Sequence, residues 1–119
     1  NFPNGVGVTV EPGARALVPT GLRVAVPEGY EMQLRPRSGL ALKHGITLPN
    51  TPGTVDSDYR GALGVIVMNA GRQTIEITHG MRIAQIIIAP VMQASFTRVD
   101  ALAETVRGEG GFGSTGVGR

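Results

Sequence analysis

The sequence contains no cysteine and no tryptophan, and only 4% of its 119 residues are aromatic. Without thiols there is no disulfide framework and no thiolate metal site, so stability has to come from packing or assembly, and a reducing compartment such as the cytoplasm is permitted. Long hydrophobic runs are missing too. The longest, Ile83 to Val91, is broken by Gln85 and Pro90 and is far too short to span a bilayer. The opening residues Asn1 to Gly5 lack the basic and apolar regions of a signal peptide, so no membrane role is expected. Charge is sparse at 17%, and the net +2 comes from arginines spread along the chain, without the basic cluster or interleaved aromatics of a nucleic-acid surface. No nucleic-acid partner is therefore expected. Scattered arginines are ordinarily solvated surface, unless a few of them converge on a small polyanion, whose phosphates suit guanidinium forks.

What is present points to one all-β domain. The length is near the commonest domain size. No segment of helical length keeps a 3.6-residue apolar period, whereas period-two alternation recurs between turns rich in Gly and Pro. Strands are expected around Val6, Val8 and Val10, then Leu22, Val24 and Val26, then Tyr30, Met32 and Leu34, with turns at Glu11-Pro12-Gly13 and Pro27-Glu28-Gly29. The third strand should stop at Arg35-Pro36, because proline cannot donate to a ladder. Ile46 to Leu48 form a brief strand. Alternation resumes at Leu63, Val65 and Val67 and again at Ile75 and Ile77, with turns at Asn69 to Arg72 and at His79-Gly80. Ile83 to Ala89 is nearly continuous apolar, which suits a strand covered on both faces or lying at a subunit interface. Gln85 inside it is either internally hydrogen-bonded or pointed at a ligand. A last strand is expected over Ala94 to Val99, and one weak helical turn over Asp100 to Val106.

One short helix interrupts this pattern, over Ser38 to Gly45, with Ser38 fit to cap it, a cationic last turn and a terminal Gly. Its start, with Arg37 and Ser38, either caps simply or offers free N–H groups to an anion. His44 reads as a residue complementing the helix end. The stretch Asn50 to Gly61 gathers two carboxylates, an aromatic and an arginine among turn residues. It is either a turn or a working loop on a rigid scaffold. Asp56 and Asp58, two apart, would share one face of a strand, although they lack the further ligands of a dedicated metal site. From Arg107 the chain is too Gly-rich to pack by itself and reads as a mobile tail, yet it carries Phe112. Gly108 to Gly113 formally matches G-x-G-x-x-G but lacks the following helix and acidic residue of a dinucleotide site.

Taken in order, Pro36-Arg37-Ser38-Gly39-Leu40-Ala41, Gly53-Thr54-Val55-Asp56-Ser57-Asp58-Tyr59-Arg60-Gly61, Gly80-Met81-Arg82-Ile83-Ala84-Gln85 and the segment Arg107 to Gly116 resemble the second to fifth motifs of the trimeric dUTP pyrophosphatases (dUTPases). No counterpart of that family's first motif, Ala-Gly-x-Asp-Leu, stands in Asn1 to Val10. The resemblance implies a distorted, jelly-roll-like β-barrel over residues 1–106 and a flexible C-terminal arm over 107–119 that closes on the site. It also implies a homotrimer with active sites shared between subunits. The reaction implied is attack of water on the α-phosphorus of dUTP, giving dUMP and pyrophosphate and keeping uracil out of DNA, with Mg²⁺ held by the substrate phosphates and water. By the same resemblance Asp56 is the general base. Asn50, Gly53 and Val55 read uracil, Tyr59 packs under the deoxyribose and Phe112 stacks over the base. Arg37, Ser38, Gly39, Gln85, Arg107, Gly113, Ser114 and Thr115 hold the phosphates, and Asp58 is structural. The missing first motif leaves open a catalytically silent dUTP-binding or regulatory member. A dCTP deaminase would share the fold, but the Asp56 to Gly61 segment and the Phe-bearing tail fit a dUTPase better.

Overall fold

The computed structural model describes residues 7–113. The elements run in the order β1 (Val8–Val10), β2 (Arg15–Arg23), β3 (Tyr30–Arg35), α1 (Ser38–His44), β4 (Ile46–Thr47), β5 (Gly53–Val55), β6 (Ala62–Asn69), β7 (Ile75–Ile77) and β8 (Gln85–Pro90). The chain is thus mostly β with one short helix. Three antiparallel sheets form: β1 with β7, β2-β6-β4, and β5-β3-β8. Their inward residues meet in one core that includes Val10, Val18, Met32, Leu34, Val65, Val67 and Ile77. Strand β6 is the clearest case, because Leu63, Val65, Val67 and Asn69 are buried while the intervening residues are more open. Period-two alternation is what places those four on one face.

The turns fall where Gly and Pro announced them. Ala14 N–H donates to Glu11 O at 2.9 Å, Tyr30 N–H to Pro27 O at 3.1 Å, and Met81 N–H to Thr78 O at 3.1 Å. Gly13, Gly29 and Gly80 take the positive φ that these bends require. Strand β3 ends at Arg35, before Pro36.

Other expectations are corrected. The second strand is Arg15–Arg23, so it begins well before Leu22 and stops short of Val24 and Val26. Pro19 fits inside it because β2 is the edge of its sheet, where a residue without N–H is tolerated. The register shifts between Pro19 and Arg23, and the Thr20 hydroxyl fills the break by donating to Leu63 O at 2.7 Å and accepting from Leu22 N–H at 3.1 Å. Val26 still reaches the core without a ladder partner. Strand β8 starts at Gln85, and it is not covered on both faces: Ile86 and Ile88 are 48% and 51% exposed. It lies at a sheet edge, with β3 as its neighbour. No strand forms over Ala94 to Val99 and no helical turn over Asp100 to Val106, and neither stretch has a ladder partner among the described residues.

The helix also departs in detail. Arg37 occupies the N-cap position with extended backbone, and Ser38 is the first helical residue, with no side-chain cap hydrogen bond. The other end is as expected: Lys43 and His44 sit in the last turn, and Gly45 closes it in the left-handed conformation. Gly45 and Gly71 approach so closely that a Cβ on either would collide with the other segment's backbone. Ala70 N–H donates to Gly45 O at 2.8 Å across the same contact.

Candidate active site

Strand β5 brings Gly53 opposite Leu34 and Val55 opposite Met32, and the chain then leaves the sheet at Asp56. Asp56 and Asp58 therefore stand on a turn and do not share a strand face, as Tyr59 N–H closes back on Asp56 O at 3.2 Å. Arg60 holds this turn from outside. Its Nη1 donates to Ser57 O at 2.7 Å and to Tyr59 O at 2.9 Å, two carbonyls that a short turn would otherwise leave to water. The Tyr59 hydroxyl donates to Ala62 O at 2.8 Å, anchoring the ring to the first residue of β6.

Between this turn and the sheet lies a cavity of about 570 Å³, a size typical of small-molecule sites. Five of the residues singled out from sequence, Asn50, Gly53, Val55, Asp56 and Tyr59, line it together. Its apolar wall comes from β2 and β6, through Leu17, Pro19, Leu63 and Ile66. That wall was missed from sequence. The available signal was an apolar residue at outward positions: Leu17 is 68% and Ile66 36% exposed, on faces where a lone domain would place polar side chains. Gly53 is buried against the cavity, and a Cβ there would come within 3.2 Å of Asn50 Nδ2 and 3.3 Å of Leu34 Cβ. The main chain at Gly53 thus faces the cavity without a side chain in between. Asp56 also borders a second, polar hollow of about 630 Å³, shared with Glu28, Glu31, Asp58 and Arg60. Asp58 borders only this one of the two.

A separate group forms where α1 begins. Arg37 Nη1 donates to Arg82 O at 3.0 Å, and Gln85 Nε2 donates to Pro36 O at 2.8 Å. These two bonds tie the helix entrance to the start of β8, where Arg35 and Gln85 are ladder partners. Gln85 is therefore internally hydrogen-bonded, as one of its two readings required, and the second amide hydrogen remains for another acceptor. Gly39 faces open space. Arg37 lines a neighbouring cavity of about 320 Å³, which shares Pro19, Leu34 and Leu63 with the first. Within one chain, then, the Asp56 group and the Arg37 group face adjacent hollows and not one common space.

The described tail residues, Arg107 to Gly113, line neither of these two cavities. None of the residues from Val91 to Gly113 lines the cavity of about 570 Å³, although Val91 and Gln93 border the polar hollow that Asp56 also borders. Phe112 is fully exposed at φ 47°, followed by Gly113 at φ 91°. Arg107 folds on its own turn, its Nε donating to Gly110 O at 2.6 Å, and Thr105 Oγ1 accepts from Gly108 N–H at 3.1 Å. Ser114 and Thr115 lie outside the described residues.

A residue that sequence reading placed in a mere turn does more. Asn69 is completely buried, and its amide donates to Val10 O at 2.9 Å and Gln73 O at 2.8 Å while its Oδ1 accepts from Gly71 N–H at 2.9 Å. It joins β1, β6 and the turn after β6, and every buried side-chain polar atom among the described residues has a partner.

A mostly β chain carrying one short helix after β3, with an aspartate-bearing turn over a nucleoside-sized cavity and an arginine at the helix start, has the makings of a nucleotide hydrolase. The dUTPase family model matches residues 6–116. A deoxyuridine 5′-triphosphate nucleotidohydrolase of Roseobacter denitrificans is 71% identical over 98% of this chain and 76% of its own length. One from Chlamydia pneumoniae is 59% identical over 92% of this chain and 77% of its own. Among solved structures, the Staphylococcus bacteriophage 80alpha dUTPase with dUPNHPP superposes with a TM-score of 0.85 at 27% identity, over 98% of this chain and 89% of the phage chain. The chain belongs to the dUTPase family. It is an enzyme, and its activity is the hydrolysis of dUTP.

Proposed function

We propose that the hydrolysis proceeds by attack of water on the α-phosphorus, releasing dUMP and pyrophosphate, with Asp56 as the general base. The observation that carries this reading is the convergence of Asp56 with Asn50, Gly53, Val55 and Tyr59 on one cavity. A carboxylate on the cavity rim is positioned to orient a water and take its proton once substrate brings the phosphorus within reach. The side-chain-free main chain at Gly53 and that at Val55 read the uracil edge, helped by Asn50. Hydrogen bonding to backbone discriminates well, because a wrong base leaves buried polar groups unpaired. Tyr59 lies under the deoxyribose. Arg37, Ser38, Gly39 and Gln85 hold the phosphates, Arg37 as a charged fork and Gln85 through its second amide hydrogen.

In one chain the phosphate-binding residues and the base cavity are adjacent but separate, and the described tail residues, Arg107 to Gly113, line neither cavity. The radius of gyration is 19.5 Å, against about 13.5 Å for a compact domain of this length. We read this as a subunit of a homotrimer of jelly-roll-like barrels whose sites combine residues of neighbouring chains. Residues 1–106 form the barrel domain. Residues 107–119 form the arm that closes on the site, Phe112 stacking over uracil while Arg107, Gly113, Ser114 and Thr115 grip the phosphates and exclude water. The exposed Ile86 and Ile88 on β8 support an interface between copies.

No group of three or more His, Cys, Asp or Glu side chains able to hold a metal occurs among the described residues. The proposed ion is a Mg²⁺ carried by triphosphate oxygens and water. When bound there, the ion neutralises phosphate charge. No helix among the described residues is long and apolar enough to cross a membrane. The enzyme's proposed setting is the cytoplasm or another reducing compartment, where it keeps uracil out of DNA and supplies dUMP.

The test is pyrophosphate release from dUTP with Mg²⁺, with dCTP, dTTP and UTP as controls, alongside a chain ending at Val106 and a mass measurement in solution. The shortened chain should lose on the order of 10²-fold in kcat/KM, since closure completes the site. Full activity without the arm would remove it from the mechanism. A monomeric mass for the active enzyme would remove the shared site.

A further inference from the structure

Gly61 stands inside the Asp56 turn for a reason other than backbone freedom. Gly13, Gly21, Gly29, Gly45, Gly80, Gly108 and Gly113 have positive φ, and Gly61 does not. Its role is to leave space. A Cβ on Gly61 would collide with the Tyr59 hydroxyl and lie 2.6 Å from Cζ and 2.9 Å from Cε1 of the same ring. The phenol therefore rests directly against the main chain two residues further on, and its hydroxyl is anchored at Ala62 O, 2.8 Å away.

This matters because Tyr59 is 44% exposed, and a half-exposed aromatic held by nothing else would sample several rotamers. Here one edge of the ring is seated on Gly61 and its tip is tethered to β6. Arg60 fixes the intervening turn through the carbonyls of Ser57 and Tyr59. The ring thus presents a surface of set height to the cavity that Asp56 also lines.

We propose that Gly61 is a specificity-determining positioning residue: by lacking a side chain it seats Tyr59 at the height that excludes a ribose 2′-hydroxyl. The inference rests on the reading of Tyr59 as the floor beneath the sugar. Steric exclusion of one hydroxyl by a packed wall is worth on the order of 10²-fold at best, and it is lost when the wall shifts by a fraction of an ångström. A methyl group at position 61 has to lift the ring toward the sugar or turn it away from the Ala62 carbonyl. Either change detunes the discrimination between dUTP and UTP.

The experiment is a double-mutant cycle read as the ratio of kcat/KM for dUTP to that for UTP. Gly61→Ala should lower the ratio about tenfold, and Tyr59→Ala should lower it at least as far. Adding Gly61→Ala to Tyr59→Ala should change the ratio no further, because the glycine acts through the ring. A wild-type ratio in Gly61→Ala, or an equal further drop in the Tyr59→Ala background, overturns the role of Gly61. An unchanged ratio in Tyr59→Ala overturns the underlying reading of Tyr59 and is thereby distinguishable. If Gly61→Ala does not fold, Tyr59→Phe replaces it, since it removes the tether to Ala62 O and keeps the ring. A lowered ratio then supports the seating of the ring, and an unchanged one overturns it.

Discussion

Strand β6 and the segment from Val91 to Gly113 are both well supplied with apolar residues, yet the chain treats them in opposite ways. In β6 every second residue is buried, β2 and β4 supply ladders on both edges, and Asn69 at its end is completely enclosed and hydrogen-bonded. After Pro90 no strand forms among the described residues, and Met92, Phe96, Leu102, Val106 and Phe112 are each at least 86% exposed. Apolar side chains gain nothing from being apolar unless some surface is there to take them out of water. For β6 that surface lies within the chain. For the segment after Pro90 the described residues supply none, and the exposed Ile86 and Ile88 on the preceding strand carry the same mark.

Four substitutions break or sharpen this contrast. The largest effect is expected at the boundary between scaffold and site. Asp56→Asn should lower kcat for dUTP by about 10²- to 10⁴-fold, because the proton acceptor is lost, while thermal stability stays unchanged at this exposed position. Steady-state kinetics beside a melting curve checks both halves, and undiminished turnover would remove Asp56 from the chemistry. Next comes the scaffold's own polar centre. Asn69→Ala strips Val10 O of its buried partner and removes the part-buried bonds to Gln73 O and Gly71 N–H, so denaturant unfolding should show a loss of about 3 kcal/mol. A loss below about 1 kcal/mol would mean that water replaces the amide. Val67→Ala, at the middle of β6 and fully buried, should cost about 2 kcal/mol through the cavity left behind. Leu102→Ser should shift subunit stability by less than about 0.5 kcal/mol, because the side chain already faces solvent. If Leu102→Ser instead weakens the assembled form in a dilution series, a neighbouring chain covers the segment. If neither quantity moves, Leu102 has no partner in any form.

Much of the site was legible because its signals are local. Asp56, Tyr59, Asn50 and the Gly53 to Gly61 stretch lie within a dozen residues, and the turn chemistry of Pro, Gly and Asp marked the stretch as irregular. Arg60 and Gly61 stood in the same quoted motif without a role. Their functions appear only as contacts, a guanidinium reaching two carbonyls and a missing Cβ beneath a ring. The apolar wall of the cavity was less accessible still, since Leu17 and Ile66 belong to strands far apart in sequence that meet as ladder partners.

Strand β2 shows why fold prediction failed where it did. Period-two alternation is a statement about side chains, and Leu22, Val24 and Val26 satisfy it. Being a strand also requires a neighbour's N–H and C=O groups, and β6 offers these to Arg15 through Pro19 and to Arg23, but not to Val26. The same rule removed the strand expected at Ala94 to Val99. The Ser38 cap failed for a related reason: helix boundaries are decided by which backbone groups find partners, and here Arg37 takes the cap position.

The sequence by itself determined the β class, the turns, the end of β3 at Pro36, the left-handed close of α1 at Gly45 and the family motifs with Asp56 among them. All of these depend on the conformational limits and chemistry of residues a few positions apart. Tertiary structure alone decided which alternating runs became strands, that Asn69 is a buried junction, that Gln85 bonds to Pro36 O, and that Tyr59 is seated on Gly61. Each of these depends on which backbone and side-chain surfaces come within hydrogen-bond or van der Waals distance after the chain has closed on itself.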